Sequence, residues 1–102
     1  MEMKIEWSEL SERQLKDIFN YYSLEVSPRI ARKIIYRIID RVSMLESNPF
    51  VGPKEDLLSD YQQDFRYLIE NNYKIIYWVS GKLITISSVF DCRQNPIKIK
   101  EF

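Results

Sequence analysis

From residue 65 to residue 90 the chain is a succession of β-branched and aromatic residues broken at only two points, Asn71-Asn72 and Ser80-Gly81. Such runs, bounded by turn-forming residues, read as strands. Breaks this short cannot hold the crossover of a dozen or more residues that parallel neighbours need. Three consecutive strands must therefore pair antiparallel through tight hairpins. Asn tolerates the left-handed backbone that such turns demand, and Gly adopts it without steric cost.

The register follows from which face is apolar. A two-residue turn at Asn71-Asn72 would set Arg66 on the face of Tyr73, Ile75 and Tyr77. A three-residue loop, Glu70-Asn71-Asn72, instead gathers Phe65, Tyr67, Ile69, Tyr73, Ile75, Tyr77 and Val79 on one face. The second is the expected register, since a slip of one residue flips every side chain and only this choice leaves one face wholly apolar. A Ser80-Gly81 turn then adds Ile84, Ile86 and Phe90 to that face. The opposite face carries Arg66, Lys74 and Ser87 together with Leu68, Ile76, Trp78, Leu83 and Val89.

Upstream, Met3, Ile5 and Trp7 alternate with Lys4 and Glu6 as a short strand. Ser8 is a candidate helix N-cap, and Ser11 with Gln14 is a second. Leu15, Ile18, Phe19, Tyr22 and Val26 follow at helical spacing. Pro28 disfavours the helical conformation at Ser27, which ends this helix and caps the next with proline in its first position. Ala31, Ile34, Ile35, Ile38, Val42 and Leu45 form the apolar stripe of the second helix. Arg29, Lys33, Arg37 and Arg41 run as a basic ridge along its flank. Asn48-Pro49 ends it, and a loop to about Asp64 carries Glu55, Asp56, Asp60 and Asp64, with Leu57 and Leu58 pinning it to the core. The expected fold is α+β in the order β-α-α-β-β-β. A helical hairpin packs on one face of a small, mainly antiparallel sheet, in a single domain over residues 1–102. The hairpin covers one face only, so a partner is expected on the other, over Leu68, Ile76, Trp78, Leu83 and Val89.

Charge and composition narrow the chemistry. Fifteen basic residues balance fifteen acidic ones, but not evenly along the chain. Residues 1–27 and 48–64 are each net −3, while residues 28–47 and 65–102 are each net +3. The chain has no His and one Cys. That excludes Ser-His-Asp and Cys-His catalysis, His metal sites and an internal disulfide. No cofactor is expected. A charged amino terminus and the lack of a long apolar run point to a cytoplasmic protein that spans no membrane. Arg66 and Lys74 are expected on adjacent strands of the open face, with Arg93 just beyond the last strand. Three cations on one concave sheet suit phosphate contacts or the charge of a phosphodiester transition state. The residues alone equally allow solvated strand cations balanced by Glu70 and Asp91. Trp78 can stack on a base or serve as packing area. Arg93 can lower the pKa of Cys92, but no general base accompanies that thiol.

The order of these pieces resembles the RelE/ParE superfamily of bacterial type II toxin–antitoxin modules over nearly the whole chain. The pieces are Trp7-Ser8, the helices split at Ser27-Pro28, Asn48-Pro49 with Gly52, Phe65-Arg66-Tyr67-Leu68, Tyr73-Lys74-Ile75-Ile76-Tyr77, and Val89 through Pro96. The resemblance implies a growth-arresting toxin held in a hetero-oligomer by a cognate antitoxin whose C-terminal segment folds on it. Its ribonuclease branch cleaves mRNA on the ribosome without a metal, using basic residues and a Tyr or His near the C-terminus. Carried over by position, Arg66, Lys74 and Arg93 would be the basic groups. This chain has no His and no Tyr after Tyr77. The ParE-like branch poisons DNA gyrase, and its members resemble this chain in the long helical hairpin and in the Tyr-Lys-Ile-Ile-Tyr strand. The resemblance therefore favours ParE-like gyrase inhibition. A RelE-like mRNA endonuclease and an inactive antitoxin-binding remnant are the alternatives.

Overall fold

The computed structural model describes residues 3 to 101. A short strand β1 (Lys4–Trp7) leads into helices α1 (Glu9–Glu25) and α2 (Pro28–Ser43). A loop with 3-10 turns at Met44–Glu46 and Asp56–Leu58 follows, then β2 (Arg66–Glu70), β3 (Tyr73–Ser80) and β4 (Leu83–Asp91), and a final 3-10 stretch at Pro96–Glu101. The strands form one sheet in the order β1-β4-β3-β2, with β1 parallel to β4 and the other pairs antiparallel. This is the expected α+β arrangement.

Local chemistry sets the helix ends. The Ser8 hydroxyl accepts from the Ser11 amide at 3.0 Å, with Glu9 and Glu12 in the first turn facing the positive end of the helix dipole. Ser27 accepts from the Ile30 amide at 3.2 Å, with Pro28 at the first position of α2. The apolar stripe of α2, continued by Leu45 in the turn that follows, presses Ile38, Val42 and Leu45 onto Leu68, Tyr73, Ile75, Tyr77, Ile84, Ile86 and Val89.

The register differs from the expected one. Arg66 pairs with Tyr77, Leu68 with Ile75 and Glu70 with Tyr73, across a two-residue Asn71-Asn72 turn in which Asn71 has φ 54°. Arg66 and Leu68 therefore share the helix-side face with Tyr73, Ile75 and Tyr77, while Phe65, Tyr67 and Ile69 do not. The second hairpin turns at Gly81-Lys82, one residue later than expected, with Gly81 at φ 59°. A register shift opposite Ile76 and Tyr77 leaves Ser87 as an extra residue in β4, because Tyr77 pairs with Ile86 and Ile76 with Ser88. Beyond this bulge the faces exchange. Val89 turns under the helices, and Phe90, expected there, turns to the other side.

That other side is not open. Leu58, Phe65 and Ile99 pack on Ile76 and Phe90, with Leu57, Tyr67 and Trp78 around them. The chain thus covers its own second face with the Asp56–Leu58 turn and the Pro96–Glu101 stretch. This corrects the expected open, partner-covered face. Leu68 and Val89 lie in the helix-side core, Ile76 is buried beneath the loop, and Trp78 and Leu83 alone of the five remain half-buried.

Candidate functional site

The three cations do not converge. Arg66 and Lys74 lie on opposite faces of the sheet, because Arg66 pairs with Tyr77 while Lys74 pairs with Ile69. Arg66, at the start of β2, turns its guanidinium back to the preceding loop. One terminal nitrogen donates to the Gly52 carbonyl at 2.8 Å and the Phe50 carbonyl at 3.2 Å, and the group lies 5.3 Å from the Phe50 ring centroid. The Lys74 ammonium donates to Glu55 Oε2 at 2.9 Å and lies 4.3 Å from the Tyr67 ring centroid. Glu55 itself is buried. Arg93 grips Asp91 with two bonds, Nε to Oδ1 at 2.9 Å and a terminal nitrogen to Oδ2 at 2.7 Å. That grip holds the Asp91 carboxyl below its ordinary range. Each cation thus has a partner within the chain, and a shared basic surface, the sequence-based expectation, is not assembled.

What the fold builds instead is a cleft of about 510 Å³ between α1 and the end of β4. Leu10, Ile18, Tyr73, Val89 and Phe90 form its apolar lining, with Arg13, Asp17, Asp91 and Arg93 around it. It exists because β1 stops at Trp7, opposite Ile86, leaving the rest of that β4 edge without a neighbouring strand. The N-cap of α1 and a side chain within it take over its hydrogen bonding. The Ser8 hydroxyl donates to the Ser87 carbonyl at 2.9 Å and the Val89 amide donates to Gln14 Oε1 at 2.6 Å. A buried edge without such partners would leave polar groups unsatisfied. Among the described residues no cluster of His, Cys, Asp and Glu could hold a metal ion.

The model of ParE toxins of type II toxin–antitoxin systems, parDE, matches residues 5–96. The chain belongs to the ParE toxin family. Its fold is similar to that of a chain in the chromosomal ParDE toxin–antitoxin system from P. aeruginosa, with 23% identity, a TM-score of 0.73, and coverage of 87% of this chain and 95% of that one. It is also similar to the YoeB dimer from Staphylococcus aureus, with 19% identity, a TM-score of 0.57, and coverage of 85% and 93%. No curated protein matches it. Among the described residues no helix is long and apolar enough to cross a membrane.

In this ParE-family chain burial acts on several ionisable groups of the sheet. Burial pushes the Tyr73 phenol up, with the neighbouring Tyr22 phenol adding to it. Burial also raises Tyr77, partly offset by its bond from the Gly52 amide and by Arg66. The thiol of Cys92 is likewise pushed up by desolvation, with Lys74 opposing. The expected lowering by Arg93 does not occur, because that guanidinium is turned to Asp91. Two residues of this site escaped the sequence reading. By sequence Gln14 reads as a capping partner and Glu55 as one of four acids in a loop. No sequence signal marks either role, since both depend on the bulge and the register.

Tyr73 and Tyr77 predict alkaline instability. Well below pH 10 folded and unfolded chains both keep these protons, and stability is unaffected. Above the ordinary phenol value of 10.0, the unfolded chain releases protons that the fold retains, so stability falls as pH rises. The limiting slope is about 1.4 kcal/mol per pH unit for each phenol. Urea unfolding between pH 9 and pH 11 measures it, and Tyr73→Phe should flatten the fall. An unchanged slope in that variant would show that Tyr73 does not contribute.

Proposed function

We propose that this chain is a ParE-like toxin that arrests growth by inhibiting DNA gyrase, acting in the cytoplasm as a single domain and neutralised by a cognate antitoxin in a hetero-oligomer. The observation that carries this reading is the dispersal of the cations. A metal-independent ribonuclease needs basic groups and a proton-transfer group gathered around one phosphodiester. Here Arg66 and Lys74 lie on opposite faces, all three cations are engaged within the chain, and the sequence has no His and no Tyr beyond Tyr77. Membership of the ParE family supports the same choice.

Purified toxin added to DNA gyrase should inhibit supercoiling and leave cleaved DNA, while mRNA in a translating extract stays intact. Ribosome-dependent mRNA cleavage with normal supercoiling would replace this reading with the endonuclease. Neither effect, from folded protein, would leave the inactive antitoxin-binding remnant. Arg93→Ala is the cleanest probe of any residual role for the basic residues. Arg93 is exposed and its salt bridge is to nearby Asp91, whereas Arg66 and Lys74 also hold the loop in place.

A further inference from the structure

The loop between α2 and β2 presents two adjacent large apolar residues to solvent. Phe50 is 61% exposed and Val51 is 52% exposed. Exposed apolar residues are common when scattered, but these are held in position by a network that extends into the core. The Gly52 amide donates to the Tyr77 hydroxyl at 3.0 Å, and Tyr77 is fully buried. Arg66 ties the Phe50 and Gly52 carbonyls together and lies against the Phe50 ring. The Tyr67 amide donates to the Pro53 carbonyl at 3.1 Å, and the Glu55 amide to the Phe65 carbonyl at 2.8 Å. Gly52 is packed so closely that a Cβ there would press into the Tyr67 carbonyl.

We infer that Phe50 and Val51 form a preorganised anchor with which this toxin grips a protein it inhibits, inserting into an apolar pocket with a carboxylate at its rim. The inference rests on the toxin reading above but names a surface that reading does not. Rigid aromatic anchors carry a large share of interface energy, because little conformational freedom is lost when they dock. The carboxylate follows from charge. Arg66 pairs with carbonyls and forms no salt bridge among the described residues, so its positive charge beside the anchor is uncompensated. A nucleic acid fits less well. Val51 has no ring to stack on a base, and the contact it offers is aliphatic.

Phe50→Ala, Phe50→Leu and Phe50→Tyr in the full chain test this, with induced growth arrest, binding to immobilised DNA gyrase and thermal midpoint as readouts. Phe50→Ala should weaken growth arrest and gyrase binding at least tenfold with an unchanged midpoint. Phe50→Leu, which refills an apolar pocket, should restore most of both. If Phe50→Tyr is active while Phe50→Leu is as inactive as Phe50→Ala, the ring stacks on a base and the inference is overturned in favour of nucleic acid. Full toxicity of Phe50→Ala overturns it outright, as does absence of growth arrest by the folded parent. If the parent arrests growth without binding gyrase and Phe50→Ala still loses toxicity that Phe50→Leu restores, the anchor stands and the gyrase reading falls.

Discussion

Replacing Lys74 with Met is expected to destabilise the protein by about 3–5 kcal/mol, the usual consequence of stranding one partner of a buried ion pair. The Glu55 carboxylate is 3% exposed and the Lys74 side chain 21% exposed, so little solvent reaches the 2.9 Å bond between them. Glu55 cannot easily swing out, because its own amide is fixed to the Phe65 carbonyl at 2.8 Å. With the ammonium gone, a carboxylate stays beneath the loop without a counter-charge. Removing both charges behaves differently. Desolvating the pair offsets most of its attraction, so Glu55→Leu with Lys74→Met should return to within about 1 kcal/mol of the parent. Urea unfolding of the two single variants and the double variant measures the coupling directly. A single Lys74→Met change costing less than about 1 kcal/mol would mean that water solvates Glu55, against its burial. The result bears on function as well. A loss of toxicity on mutating Lys74 would report lost stability before any contact with a target.

Local determinants are legible in this chain and distant ones are not. Helix starts were legible because their determinants are local. Ser8 and the Ser27-Pro28 pair cap the residues that immediately follow them. The existence of three hairpin-linked strands was legible for the same reason. The register was not, because alternation favours collecting apolar residues on one face, and this fold buries both. Phe65 and Tyr67 did not need the helices, since Leu57, Leu58 and Ile99 cover them from the other side. Nothing in Pro96-Ile97-Lys98-Ile99-Lys100 shows helical periodicity, so that cover could not be foreseen. The slip then moved Arg66 to the wrong face and created a cationic cluster that does not exist. The bulge at Ser87 was hidden for another reason. Its determinants lie far away in sequence, in the Ser8 and Gln14 side chains that bond to β4. The exposed pair in the loop has a local determinant that the structure brings out. Phe50-Val51 stands between Pro49 and Gly52-Pro53, apolar residues in a stretch built to turn rather than to enter a core.

Truncating Tyr77 to Ala should cost about 3–5 kcal/mol, as expected for removing a buried aromatic ring from a core. Tyr77 is fully buried and ranks first by volume among the fully buried side chains. It packs with Ile75, Ile84 and Ile86 beneath α2, where a void of that size could not collapse without moving the helix. Tyr77→Phe isolates the second role of this side chain. The ring stays, but the Gly52 amide loses the oxygen that accepts its hydrogen at 3.0 Å. An unsatisfied buried donor costs about 1–3 kcal/mol. Because Gly52 is also held through its carbonyl by Arg66, the loop should loosen rather than detach. Faster hydrogen exchange at the Gly52 amide and a drop in unfolding free energy are the expected pair of results. If Phe at this position leaves both unchanged, the loop is fixed by Arg66 and the strand-like bonds at Pro53 and Glu55 alone. Phe50 and Val51 would then be positioned from the sheet edge and not from the core.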